Sequence, residues 1–111
     1  MAHGAQSAFS NVAASTTDGA LVTGVAGRRI NVLAVYAVAG GTATNVTFNT
    51  KPAGAGSAIS PLLALGINGA SELSFNPKGW FQTGIGEGLA VTTGAGATTG
   101  IGVVYELVSL P

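Results

Sequence analysis

Turn-forming residues cut this chain at short intervals, at Asp18-Gly19, Gly40-Gly41, Asn68-Gly69, Asn76-Pro77-Lys78-Gly79 and Gly94-Ala95-Gly96. Glycine adopts positive φ without steric cost and proline presets the first angle of a turn, so each cluster ends whatever element precedes it. No segment between them sustains an apolar stripe of period 3.6 over three turns. Helix is limited to a single turn near residues 61–65. The intervening stretches are β-branched and aromatic: 9–13, 20–25, 29–38, 42–51, 61–67, 70–75, 88–93 and 98–110. About eight short strands at this spacing predict an all-β, single-domain antiparallel β-sandwich of jelly-roll type. At 111 residues, one domain is the expectation. Residues 1–14 read as an N-terminal arm and 15–111 as the sandwich, the first ten residues being too polar and too rich in small residues to pack a core.

Alternation within the strands indicates what each one faces. In 42–50, Val46 and Phe48 point one way and Asn45, Thr47 and Asn49 the other, the pattern of a half-buried strand with a polar outer face. In 29–38, Ile30, Val32, Tyr36 and Val38 fill one face, and Leu33, Val35 and Ala37 the other. The closing strand repeats this, with Ile101, Val103, Tyr105 and Leu107 against Val104 and Val108. A strand apolar on both faces needs cover on both, so an arm, a loop or a neighbouring subunit is expected over these two.

Charge narrows the function classes. Four Lys or Arg and four Asp or Glu leave 7% of residues charged and a formal net charge of zero, against about a quarter charged in ordinary soluble domains. Such a chain lacks the repulsion that keeps single domains apart. Arg28-Arg29 alone is no basic footprint for nucleic acid. The longest apolar run, around residues 32–39, has the length of a strand and not of a membrane span, and the N-terminus shows no secretory pattern. The partners expected are therefore other protein surfaces, with no nucleic acid and no membrane.

The inventory for chemistry is thin. There is no cysteine and a single histidine, His3, so neither a thiolate nor a histidine cage for a metal is available within one chain. Glu72 and Glu87 sit beside Ser or Gly and Asp18 in a turn. Glu106 lies among apolar neighbours, where it should meet an arginine or face a partner. Gly94-Ala95-Gly96-Ala97-Thr98-Thr99-Gly100 misses the dinucleotide-loop spacing by one residue and is followed by a strand, which makes it a hairpin loop. Asn45-Val46-Thr47 matches the glycosylation acceptor pattern but falls inside a strand. These residues predict no enzyme and no cofactor. Trp80-Phe81 carries more weight, because aromatics mark cores and interface anchors and an extended segment turns one of the two inward and the other outward.

Gly27-Arg28-Arg29-Ile30-Asn31-Val32-Leu33, Phe75-Asn76-Pro77-Lys78-Gly79-Trp80-Phe81-Gln82-Thr83 and Gly86-Glu87-Gly88-Leu89 form a pattern, to which Gly102-Val103-Val104-Tyr105-Glu106-Leu107 adds. It resembles the small jelly-roll structural proteins of tailed bacteriophages, most of all capsid decoration or cement proteins, over residues 15–110. The Asn-Pro-x-Gly-Trp-Phe-x-Thr segment followed by Gly-Glu-x-Leu is its most specific part. The resemblance implies a homotrimer on the exterior of a virion capsid, bound to the major capsid protein and strengthening the shell. A carbohydrate-binding module of a virion appendage is the rival reading, resting on Trp80, Tyr36, Tyr105 and the four phenylalanines as stacking platforms. Candidate partner-binding residues are His3, Phe9, Arg28, Arg29, Trp80 and Phe81.

Overall fold

The computed structural model describes residues 4–109. They form ten strands: β1 (Gln6–Val12), β2 (Gly19–Val22), β3 (Arg28–Val38), β4 (Thr44–Lys51), β5 (Ser57–Ala58), β6 (Leu63–Leu65), β7 (Ala70–Leu73), β8 (Phe81–Gln82), β9 (Gly88–Thr93) and β10 (Thr99–Ser109). All pairings are antiparallel. One sheet runs β1-β10-β3-β7 with β8 also on β3; the other runs β2-β9-β4-β5 with β6 also on β4. In each sheet one strand position is split into two short pieces, so the ten strands occupy eight places. The chain crosses between the sheets in the order of a jelly roll, a β-sandwich as the sequence indicates. No helix occurs among the described residues, the turn anticipated near 61–65 included.

The inward faces interdigitate as one core, in which Ile30, Val32, Val35 and Ala37 of β3 and Ile101 and Val103 of β10 meet Val46 and Phe48 of β4 and Leu89 and Val91 of β9. Phe48 is completely buried. Asn49, assigned by alternation to a polar outer face, is also buried; the Thr92 hydroxyl donates to its Oδ1 at 2.8 Å and covers it.

The largest departure from the sequence reading lies in β3. Val104 of β10 pairs with Ala34 and Tyr105 with Val32, so Leu33 is an extra residue and the register shifts there. A bulge inverts the alternation. Ile30 and Val32 point inward before it, and Val35 and Ala37 after it. Tyr36, grouped with Ile30 and Val32 by simple alternation, is instead turned outward and is 53% exposed. Much of the seeming two-sided apolarity of this strand is one inward face whose phase changes midway.

The segment expected as an arm also differs. Gln6–Val12 pairs with β10 without interruption, from Gln6 opposite Tyr105 to Val12 opposite Thr99. Val12 is buried in the core and Ala8 packs on it. Alternate small residues suffice here because the strand covers a sheet edge rather than the sandwich centre.

Thr83 closes the most specific sequence segment and ties it to β3. It is fully buried; its Oγ1 accepts the Ile30 amide at 2.9 Å and donates to the Gly84 carbonyl at 3.1 Å. Thr83→Val keeps the shape but leaves the Ile30 N–H without a partner, and should cost about 1–3 kcal/mol. Chemical denaturation should register this as a lower midpoint at unchanged slope.

Candidate functional site: an aromatic face on one sheet

The two outer faces of the sandwich differ. Over β4 and β9 the outer face carries the polar Asn45, Thr47, Asn49 and Thr92, with Ala90 buried beside Asn49. Over β1, β10 and β3 it carries Phe9, Val104, Ala34 and Tyr36 beside Ser7 and Asn11, with Gly102 between the two aromatics and Gly100 two residues along. Phe9 is 84% exposed at the middle of β1, and Phe75, just past β7, is 60% exposed. Phe9, Tyr36 and Phe75 line a groove of about 340 Å³ whose walls include Ala34, Glu72 and Val104. A smaller hollow of about 200 Å³ continues from it between Phe9 and Tyr36 over Gly100 and Gly102.

Gly102 lies opposite both Phe9 and Tyr36, and Gly100 opposite Asn11 and Val38. A Cβ at Gly102 would meet nothing nearer than 3.9 Å and one at Gly100 nothing nearer than 3.5 Å. Packing within this chain therefore does not require glycine at either place. Glycine inside a strand costs roughly 0.5–1 kcal/mol relative to alanine and marks positions where another surface approaches closely. These two keep the groove floor at backbone level.

The candidates named from the sequence are spread over the molecule. Phe9 belongs to this face. Arg28 and Arg29 start β3, about 25 Å from Tyr36 at the ordinary strand rise. Both are half-buried; the Arg28 amide donates to the Val25 carbonyl and Arg29 Nη1 reaches the Thr83 carbonyl at 3.5 Å. Trp80 is turned outward, its indole N–H fixed on the Ser74 carbonyl at 2.7 Å. Phe81 is turned inward with its ring centroid 5.4 Å from that of Phe48, which takes it out of the exposed set. His3 lies outside the described residues. Tyr36 and Phe75 complete the aromatic face, yet neither stood among the partner-binding candidates. For Tyr36 the bulge hid the signal. Phe75 was visible as the residue before the specific Asn-Pro segment and as one of the four phenylalanines of the carbohydrate reading.

That segment is a rigid clamp on the bulge. The Lys78 amide donates to Asn76 Oδ1 at 3.0 Å and the Gly79 amide to the Asn76 carbonyl at 2.9 Å. The turn is tied to β3 by the Asn76 amide on the Leu33 carbonyl and the Trp80 amide on the Val32 carbonyl. Its role is to hold Phe75 at the groove and Phe81 in the core.

Three of the four carboxylates serve the scaffold. Asp18 Oδ2 accepts the Gly56 amide, Glu87 Oε1 accepts the Thr50 hydroxyl at 2.6 Å, and Glu106 Oε2 accepts Asn31 Nδ2 at 3.3 Å. Glu106 was expected to meet an arginine or face a partner; within the chain it meets the Asn31 side-chain amide. Glu72 is exposed at the groove wall. No group of His, Cys, Asp and Glu among the described residues could hold a metal ion. A broader depression of about 570 Å³ between Val22 and Lys51 has Lys51 and Glu87 as its charged lining, and both are engaged locally.

No protein family matches the chain, and no curated protein does. Among solved structures, a chain of the Bacillus endospore appendages, which form disulfide-linked pili, is similar in fold. It has 12% identity and a TM-score of 0.55 over 98% of this chain and 88% of that one. The virus-like particle of the extra small virus of the prawn Macrobrachium rosenbergii gives 15% identity and a TM-score of 0.41, over 100% and 82% of the two chains. The SPBc2 prophage-derived protein YomS gives 14% and 0.41, over 94% and 96%.

Proposed function

We propose that this chain is a structural protein of a phage virion that decorates the capsid exterior as an oligomer and stabilises the shell. The observation that carries the reading is the asymmetry of the sandwich, polar over β4 and β9 but aromatic and glycine-floored over β1, β10 and β3. A contiguous exposed apolar patch on a charge-poor domain is a docking surface. The resemblance of the Asn76–Thr83 region to phage decoration proteins supplies the partner, the major capsid protein. The fold is shared with a chain of disulfide-linked pili; this chain has no cysteine, so its assembly rests on burial.

Each copy would contribute about 25 cal/mol per Å² of apolar area removed from water. Repetition across a shell then resists internal pressure through avidity. The test is co-sedimentation of the purified protein with undecorated capsids. Binding is expected to persist in about molar salt, because few charges are available to be screened. Tyr36→Asp and Phe75→Asp should each abolish it while leaving the circular dichroism unchanged. Release at modest salt, or full binding by both variants, would sink the reading. A carbohydrate-binding module of a virion appendage is the second reading, favoured by Phe9 and Tyr36 flanking an open floor with Glu72 close by. It requires glycan binding that Tyr36→Asp removes, with no retention on capsids.

A further inference from the structure

A sandwich has two edges on each sheet, and every edge strand exposes unpaired backbone donors and acceptors unless something blunts it. Three of the four edges here are cut short. β2 has four residues and an irregular register between Ala20 and Val22. The β5 and β6 edge consists of two-residue and three-residue pieces. The β7 and β8 edge consists of four-residue and two-residue pieces, with Glu72 exposed on the first. β1 is the exception. It runs seven residues in unbroken register, contains no proline and no charged side chain, and among the described residues no strand pairs with its outer side.

The geometry also says which groups are on offer. A Cβ at Gly102 would stand 3.9 Å from that of Phe9, the close spacing of a non-hydrogen-bonded antiparallel pair. The N–H and C=O of Phe9 therefore point away from β10, toward the free side, as do those of Ser7 and Asn11 two residues to either side. Phe9 is the midpoint of Gln6–Val12.

From this edge we infer that β1 pairs with β1 of a second copy, antiparallel about a two-fold axis through Phe9. Phe9 of one copy lies opposite Phe9 of the other and exchanges both backbone hydrogen bonds with it; Ser7 faces Asn11 on either side. A two-fold contact sets the residue on the axis against its own copy and the others against residues of the same strand, and a strand without charged side chains brings no like-charge repulsion to any of these pairs. The two phenylalanine rings form a cross-strand aromatic pair on the outer face. Because the axis is normal to the sheet, the two Phe9–Tyr36–Phe75 grooves lie side by side on one surface. That shared surface deepens the capsid-docking role and rests on it. The pairing itself does not.

The chain has no cysteine, so single introduced thiols report cleanly. The Cα atoms of a hydrogen-bonded pair stand about 5.5 Å apart, within disulfide reach. Phe9→Cys should therefore cross-link to a covalent dimer on mild oxidation, whereas Ile67→Cys, on an exposed residue remote from the edge, should stay monomeric on denaturing gels. The wild-type chain should sediment as a dimer at micromolar concentration. Phe9→Lys, which sets two cations face to face, should weaken it at least about tenfold, and Ser7→Pro, which removes an outward donor, should do the same. A wild-type monomer or trimer, a dimer indifferent to Phe9→Lys with native circular dichroism, or equal cross-linking at positions 9 and 67 would overturn the inference. Since all arms use free protein, a dimer that fails to bind capsids would refute only the docking role.

Discussion

Replacing Phe48 by alanine is expected to remove about 3–5 kcal/mol of stability, the range for deleting a buried aromatic side chain. Phe48 is the largest completely buried side chain, in the middle of β4 opposite Val91. Its ring lies against that of Phe81, tilted by 34°. Its backbone is pinned as well, the amide donating to Ser60 Oγ and the carbonyl accepting from the Ile59 amide, both at 2.9 Å. The surroundings therefore have little freedom to collapse into the space left behind. Marginal stability of roughly 5–15 kcal/mol is typical of single domains, so this single change removes a large share. The thermal midpoint should fall by more than about 10 °C. Phe81→Ala should cost less, because that ring is only half-buried. A loss below about 1 kcal/mol for Phe48→Ala would mean that the core is not organised around this ring.

Gly24→Ala should be nearly as damaging for the opposite reason. A Cβ there would stand 2.4 Å from the Gly86 carbonyl oxygen, 2.8 Å from the Glu87 carbonyl carbon and 2.9 Å from the Gly88 amide nitrogen. All three are backbone atoms, so no rotamer change relieves the clash. The turn that would have to move is itself held by the Gly86 amide on the Arg28 carbonyl at 2.7 Å and by positive φ at Gly86. Overpacking of this kind costs about 1–3 kcal/mol, with rigid backbone toward the upper end. Gly102→Ala is the contrast, since its Cβ meets only ordinary contacts. It should be neutral or stabilising by up to about 1 kcal/mol while raising the groove floor and weakening whatever docks there. Thermal melts of the two variants, with capsid binding of the second, check both halves. Equal destabilisation by Gly24→Ala and Gly102→Ala would show that both glycines serve the fold alone.

The class of this fold was legible because turns and alternation are local properties. Asn68 and Gly79 take positive φ where the turns were placed, and Asp18-Gly19 does so through Asp18. The strand read at 88–93 matches β9, and the inward pair Val46 and Phe48 is completely buried. Chain chemistry alone supplied those, since backbone sterics and a period of two operate within a few residues. β5 and β8 escaped notice because two residues carry no period; they exist as strands only through the partners that β4 and β3 present to them.

Low charge, the absence of cysteine and the thin catalytic inventory are likewise facts of the sequence, and they direct attention to surfaces rather than reaction chemistry. Which surface was a tertiary matter. The extra residue at Leu33 is defined only against β10, and it moves Tyr36 from the core to the outside. The groove joins Phe9, Tyr36 and Phe75 from three distant parts of the chain. The free side of β1 follows from its end position in the sheet order. A strand's own alternation says that it has two faces. Only its neighbours across the hydrogen-bonded ladder decide which face is covered and which edge is left open.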